Sequence, residues 1–187
     1  PKKLLGHQSG SHPVGIDALN LNGKFEYRFS DQWKGSVSAA RSKVVIDDYS
    51  SFAWGGDTQG VGNYFSPEGN YDIYDYRSPD DTRRDDEVQA AMTGLFDTAG
   101  LGHELTFGTS AFRRVIDKRK SVNEWIGSGN IYEDAPTFTP TDKPLNDSHR
   151  NLDSRQYGLF VTDRIRFNEQ WQTILGGREV RLDEKAF

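Results

Sequence analysis

Three times in this chain a stretch of alternating apolar and polar residues turns tightly into a second such stretch, and between these hairpins lie much longer connections. Residues 18–29 read as a strand, Ser30-Asp31-Gln32 as a tight turn, and Trp33 to about Val45 as the return strand. A long connection follows, to about Thr82. Val88, Ala90, Met92, Gly94 and Phe96 then alternate with Gln89, Ala91, Thr93 and Leu95 before the short turn 98–102. On the return strand Leu105, Phe107, Thr109 and Ala111 alternate with Glu104, Thr106, Gly108 and Ser110. After a second long connection, about 121–152, comes the third hairpin, "RQYGLFVTDRIRF", turn 168–170, and "WQTILGGREVRL". Short turns at one end of a sheet and long loops at the other are the pattern of a transmembrane β-barrel.

The opening strand poses the choice of environment. Leu19, Leu21, Gly23, Phe25, Tyr27 and Phe29 share one face, and Asn20, Asn22, Lys24, Glu26 and Arg28 the other. A soluble sheet turns its apolar face to a core and its polar face to water. A barrel turns the apolar face to lipid and the polar face to its interior, where charges need partners. Composition favours the second: only 34% of the 187 residues are hydrophobic and the mean hydropathy is -0.77, a thin supply for a soluble core. No aliphatic or aromatic run exceeds three, as in Val44-Val45-Ile46, so no segment here reads as a membrane-spanning helix. Aromatic residues flank the short turns, with Tyr27, Phe29 and Trp33 at the first, Phe96 at the second, and Phe167 and Trp171 at the third. Amphipathic rings favour a membrane interface. Aromatic pairing across strand ends would produce the same placement.

The third hairpin, "YGLFVTDRIRFNEQWQTILGGREVRLDE", resembles the mid-barrel segment of TonB-dependent outer-membrane siderophore receptors. The shared order is a strand, an acidic-polar turn, a Trp-led strand and Gly176-Gly177-Arg178. "LNLNGKFEYRFSDQWKGSVSAARS" and "GLFDTAGLGHELTFGTSAFRR" fit the same style, so the resemblance covers nearly everything from about residue 15. Where many relatives continue Tyr-Asp after the Gly-Gly-Arg, this chain has Glu179-Val180. The resemblance implies an all-β, antiparallel transmembrane barrel in the bacterial outer membrane, in contact with outer-membrane lipid, that imports ferric siderophores on energy from TonB. Six strands in three hairpins fall short of the eight of the smallest barrels, and no plug segment is visible. Residues 1–187 therefore read as part of a barrel, with the plug domain, through which TonB would act, and the remaining strands absent.

Recognition belongs in the long connections, because loops held on a rigid scaffold carry function. The first holds Tyr49, Phe52, Trp54, Tyr64, Phe65, Tyr71, Tyr74 and Tyr76, and with them five of the eight tyrosines. Rings with a polar tip give rigid contact area suited to an organic chelate around iron, although they can equally pack a compact loop on itself. The second connection adds Trp125, with Tyr132, Phe138 and His149 and three prolines. Arg113 and Arg114 lie near its start: strand parity puts Arg113 on the apolar side as an interfacial cation and leaves Arg114 to point inward towards ligand. Acids crowd the end of the first connection, from Glu68, Asp72, Asp75, Asp80 and Asp81 to Asp85, Asp86 and Glu87. They disfavour a strongly anionic catecholate complex and favour a hydroxamate one.

Other chemistries have less support. There are no cysteines, hence no disulfides or thiolate metal sites. His7 and His12, and the isolated His103 and His149, show no metal-ligand spacing. Iron would arrive already chelated, and no directly bound cofactor is expected. The Asp pairs at 47–48, 80–81 and 85–86 could hold calcium, but acids at loop ends ordinarily serve solubility. No nucleophile-elbow, phosphate-loop or dinucleotide fingerprint occurs, which argues against an enzyme. An outer-membrane barrel hydrolase would have only His149 and the Asp pairs to work with. Net charge of -5 disfavours nucleic acid. A soluble sheet module binding carbohydrate on its aromatics remains the alternative, and it requires Leu21, Phe25 and Tyr27 to be covered by another sheet of this chain.

Overall fold

The computed structural model describes residues 14–55, 67–134 and 136–187. They form seven strands: β1 (Gly15–Arg28), β2 (Trp33–Trp54), β3 (Asn70–Thr98), β4 (Leu101–Lys118), β5 (Val122–Asn130), β6 (His149–Arg166) and β7 (Gln172–Ala186). One sheet contains them all in the order β1-β2-β3-β4-β6-β7, with β5 paired to β3 beside this path. The chain is thus all-β, as its period-two pattern predicts.

Two expectations need correction. The structure has seven strands where the sequence shows six, because β5 forms inside the second long connection. The first connection is also much shorter than 47–82, since β2 runs on to Trp54 and β3 starts at Asn70. The reason is backbone pairing: each extended strand offers its neighbour hydrogen-bonding groups that must be satisfied. Asn70 to Arg77 pair in antiparallel register with Asn130 to Val122 and absorb one bulge between Ile73 and Tyr74.

Two compact units divide the residues, one containing 44–82 and 117–149, the other 18–43, 83–116 and 150–187. The second holds the three short turns. At the first, Phe29 and Ser30 donate backbone hydrogen bonds to the Trp33 carbonyl, and the Ser30 hydroxyl accepts from the Gln32 and Trp33 N–H groups. At the third, Asn168 Oδ1 accepts from Gln170 and Trp171 in the same manner. Both are turns closed by a short polar side chain. Between them, β3 and β4 are joined by Ala99 (φ 52°) and Gly100 (φ 80°), a two-residue turn with both central residues left-handed, as hairpin twist demands.

Side-chain contacts show which residues share a face of this unit. On one face Trp33 lies over Gly94 and meets Phe107 edge-on at 6.4 Å, while Phe29 and Met92 close over Gly35. A Cβ at residue 94 would come within 2.5 Å of the Trp33 ring, so glycine is required for that approach. On the opposite face Thr93 and Thr106 exchange a hydroxyl hydrogen bond at 3.0 Å, Arg164 meets Glu104 at 2.9 Å, and Arg178 reaches Ser110 at 3.1 Å. This is the division into apolar and polar faces read from the sequence. The apolar face is not covered: Leu21, Phe25 and Tyr27 are 57%, 68% and 56% exposed. The soluble-module alternative needs these side chains buried, and here it fails.

Candidate functional site

The residues proposed for recognition concentrate in the unit containing 44–82 and 117–149, and strands rather than loops carry most of them. Phe52 and Trp54 end β2, Tyr71, Tyr74 and Tyr76 begin β3, and Trp125 sits in β5. Phe52 stacks on Tyr74 at 6.1 Å and 19° and meets Trp54 edge-on at 5.9 Å. Tyr74 and Trp125 are register partners across β3 and β5, where facing side chains are in reach of each other. Four rings from three strands thereby make one strip, Trp54-Phe52-Tyr74-Trp125. Its two ends are open, with Trp54 44% and Trp125 49% exposed.

Two buried carboxylates adjoin the strip. Asp72 is fully buried and its Oδ1 accepts from Trp125 Nε1 at 3.2 Å and from the Ser128 hydroxyl at 2.6 Å. Asp75, also buried, accepts from the Ser51 hydroxyl at 3.1 Å and from the Thr141 N–H at 2.9 Å. Buried carboxylates survive only with such donors, and here the donors come from β2, β5 and the segment after β5. The bond from Trp125 also fixes the orientation of an exposed ring before any ligand arrives.

The remaining candidates are placed differently. Tyr71 is fully buried, its ring packed so close to Gly129 that an added Cβ would lie 2.6 Å away. Burial raises its phenol pKa. It acts as a packing residue in this chain. Tyr76 is half-buried opposite Asn123. Tyr49 lines a cavity of about 430 Å³ with Asp47, Pro79, Asp80, Arg119 and Leu145. There Asp47 accepts from the Asp80 N–H at 2.8 Å and Arg119 bridges Asp80 to the Asn146 carbonyl. Tyr64 and Phe65 lie outside the described residues, as do His7 and His12. Arg114, in the other unit, makes a two-pronged pair with Asp85, both bonds 2.8 Å, while Arg113 pairs with Asp153. His149 Nδ1 has the Asp147 carbonyl and the Asn146 amide at 3.5 Å.

The acidic run also needs correction. Asp80, Asp85 and Asp86 are paired with Arg119, Arg114 and Arg41, and Asp72 and Asp75 are buried on neutral donors, so the run is not an open acidic surface throughout. Reading Asp72 as an acceptor would have required knowing that β5 exists. The only signal for it was the cluster of Val122, Trp125 and Ile126 in an otherwise polar stretch.

These features define a segment of antiparallel barrel wall whose strand ends carry an aromatic strip. Residues 5–185 match the family described as TonB dependent receptor-like, beta-barrel, and the chain belongs to that family. No curated protein matches it in sequence. Among solved structures it is similar to FpvA of P. aeruginosa bound to heterologous pyoverdines (19% identity, TM-score 0.70, 90% of this chain and 22% of that one). It is similar also to BauA, the ferric preacinetobactin receptor from Acinetobacter baumannii (16%, 0.66, 92% and 25%). A third is Fiu, the ferric-catecholate import receptor from K12 E. coli (13%, 0.68, 95% and 25%). The chain spans about a quarter or less of each of these structures.

Proposed function

We propose that this chain is part of an outer-membrane receptor that takes up a ferric siderophore, with the Trp54-Phe52-Tyr74-Trp125 strip as a ligand platform. The supporting observation is that a buried carboxylate, Asp72, holds one exposed ring of the strip in place, which lowers the ordering cost of binding. Transport would be driven by TonB acting through a plug domain of the full-length protein, and the iron enters as part of the cargo.

A complex of low net charge, of hydroxamate type, suits the site best. Segments 44–82 and 117–149 contain fourteen acids against five bases, and even with several acids paired internally the surplus opposes a strongly anionic complex. The family description is of a receptor, and an uptake role needs no catalytic residue in this chain.

The test replaces the rings in the full-length receptor. Removing one anchor ring typically costs about 2 kcal/mol, or roughly thirtyfold in affinity, so Trp125→Ala and Phe52→Ala should each weaken ferric-siderophore binding by that order with the barrel still assembled. Wild-type affinity in both variants, measured with radiolabelled iron complex on intact cells, would remove the strip from the ligand site.

A further inference from the structure

We propose that Asp48 sets the specificity of the ligand platform by receiving the protonated amine of a complex whose iron-bearing body rests on the rings of the strip. This rests on the uptake reading above and adds to it the chemical class of the cargo, a hydroxamate-type complex that carries one pendant ammonium group.

The first observation is an unmet carboxylate. Asp48 Oδ1 is buried and, among the described residues, accepts no hydrogen bond. The two acids that this unit buries outright are both supplied, Asp72 by Trp125 and Ser128 and Asp75 by Ser51 and Thr141. A carboxylate oxygen withdrawn from water without a donor is destabilising, and a donor that arrives with a ligand removes the penalty. The bases that could have served are engaged elsewhere. Arg77 donates to the Lys143 carbonyl, Arg119 to Asp80 and the Asn146 carbonyl, and Lys143 pairs with Glu124.

The second observation is placement. β2 runs unbroken from Trp33 to Trp54, so Asp48, Ser50, Phe52 and Trp54 project from one face, the face on which Phe52 stacks on Tyr74. Asp47 and Ser51 project from the other, where they meet the Asp80 N–H and Asp75. The register fixed by Phe52 with Tyr74 and Ser51 with Asp75 brings Ser50 level with Tyr76 and Asp48 level with Ser78. Between the rings and the carboxylate that face therefore offers neutral polar side chains. Four residues of strand span about 13 Å, so a group reaching Asp48 from a body seated on Phe52 has to hang on an arm. The carboxylate selects a cation for its end, and the surplus of acids in this unit favours the same sign. An ammonium group fits better than a metal ion. A bare ion needs several carboxylates, whereas Asp47 faces away from Asp48, and among the described residues no three acids or histidines are grouped to hold one.

The experiment measures binding of two radio-iron probes to the full-length receptor on intact cells. One is ferrioxamine B, a trihydroxamate whose chain ends in a primary amine. The other is its N-acetyl derivative, which keeps the iron centre and loses the charge. Wild type should bind the amine form about tenfold more tightly, the size of one charge-assisted bond. Asp48→Asn, which preserves shape, should bring the amine form down to about the affinity of the acetylated one, while Trp125→Ala should weaken both forms alike. Equal affinity of the wild type for the two probes, or a preference that survives Asp48→Asn, overturns the role of Asp48, and weakening of both forms in Trp125→Ala then leaves the strip standing. Failure of the wild type to bind either form overturns the cargo class. A preference lost in Asp48→Asn together with wild-type affinities in Trp125→Ala removes the strip and keeps the amine seat, so the two readings fail separately. Assembly of each variant is checked by heat-modifiable migration on gels.

Discussion

The two units of this chain solve the same problem, holding strands in register, with different materials. In the unit of 18–43, 83–116 and 150–187, short turns set the register and each face repeats one kind of residue. Apolar side chains stand exposed, Phe25 at 68% and Leu159 at 62%. In the unit of 44–82 and 117–149 the strands outrun the simple pattern, Tyr71 and Ile73 are fully buried, and two buried carboxylates gather donors from separate segments. Exposed apolar side chains mean that most of the first unit's partners lie outside this chain. The second unit supplies its own, so its geometry is specific where the other is generic. A ligand platform fits the unit that orders its own side chains, and contact with lipid fits the one whose side chains await a partner.

The largest expected effect tests the generic unit. An added Cβ at Gly108 would stand 2.3 Å from the Ala90 carbonyl oxygen and 2.7 Å from the Phe160 ring. A backbone atom cannot swing aside, so Gly108→Val should cost about 3 kcal/mol or more. In the full-length receptor this appears as loss of the heat-modifiable band and of surface-exposed protein. Normal assembly of Gly108→Val would show that β3 and β4 can separate at this point.

A smaller and more local effect is expected in the specific unit. Asp72→Ala leaves Trp125 Nε1 and the Ser128 hydroxyl without their shared acceptor, at about 1.5–3 kcal/mol for bonds to a charged group. Because the partners lie within one unit, assembly should persist while hydrogen exchange accelerates over 70–77 and 122–130 and siderophore affinity falls. Asp72→Asn keeps an acceptor oxygen and should restore part of both. If Asp72→Ala leaves exchange in β5 at the wild-type rate, the carboxylate does not organise the strip.

The same division explains how much could be read in advance. β1, with Leu19 to Phe29 on one side and Asn20 to Arg28 on the other, is legible because one face is apolar throughout, and "SDQ" and "NEQ" are legible because their side chains close the turns. β5, "VNEWIGSGN", shows no alternation. It is a strand because β3 extends far enough to pair with it, a tertiary cause. Asp72 and Asp75 looked like a repulsive surface for the same reason: an acid is read as exposed until its donors are found, and these donors are 24 to 66 residues away in sequence. Arg113 and Arg114 illustrate the opposite case. Strand parity alone separates them to different faces, and their partners Asp153 and Asp85 lie on those two faces.

The finest test returns to a turn. Ala99 adopts φ 52° beside Gly100, a left-handed conformation that costs a residue with a Cβ about 1 kcal/mol. The pairing of β3 with β4 tolerates that cost, which implies that sheet contacts and not the turn dominate the register there. Ala99→Gly removes the penalty at the price of a more flexible unfolded chain, so the net gain should be a few tenths of a kcal/mol, up to about 1 kcal/mol. It would show as a small rise in the urea midpoint of the full-length receptor, with siderophore affinity unchanged because the turn lies in the unit without the platform. A fall in the midpoint would mean that Ala99 is held by a contact beyond its backbone. A change in affinity would mean that the generic unit transmits its register to the specific one, and the contrast between the two would then be one of degree.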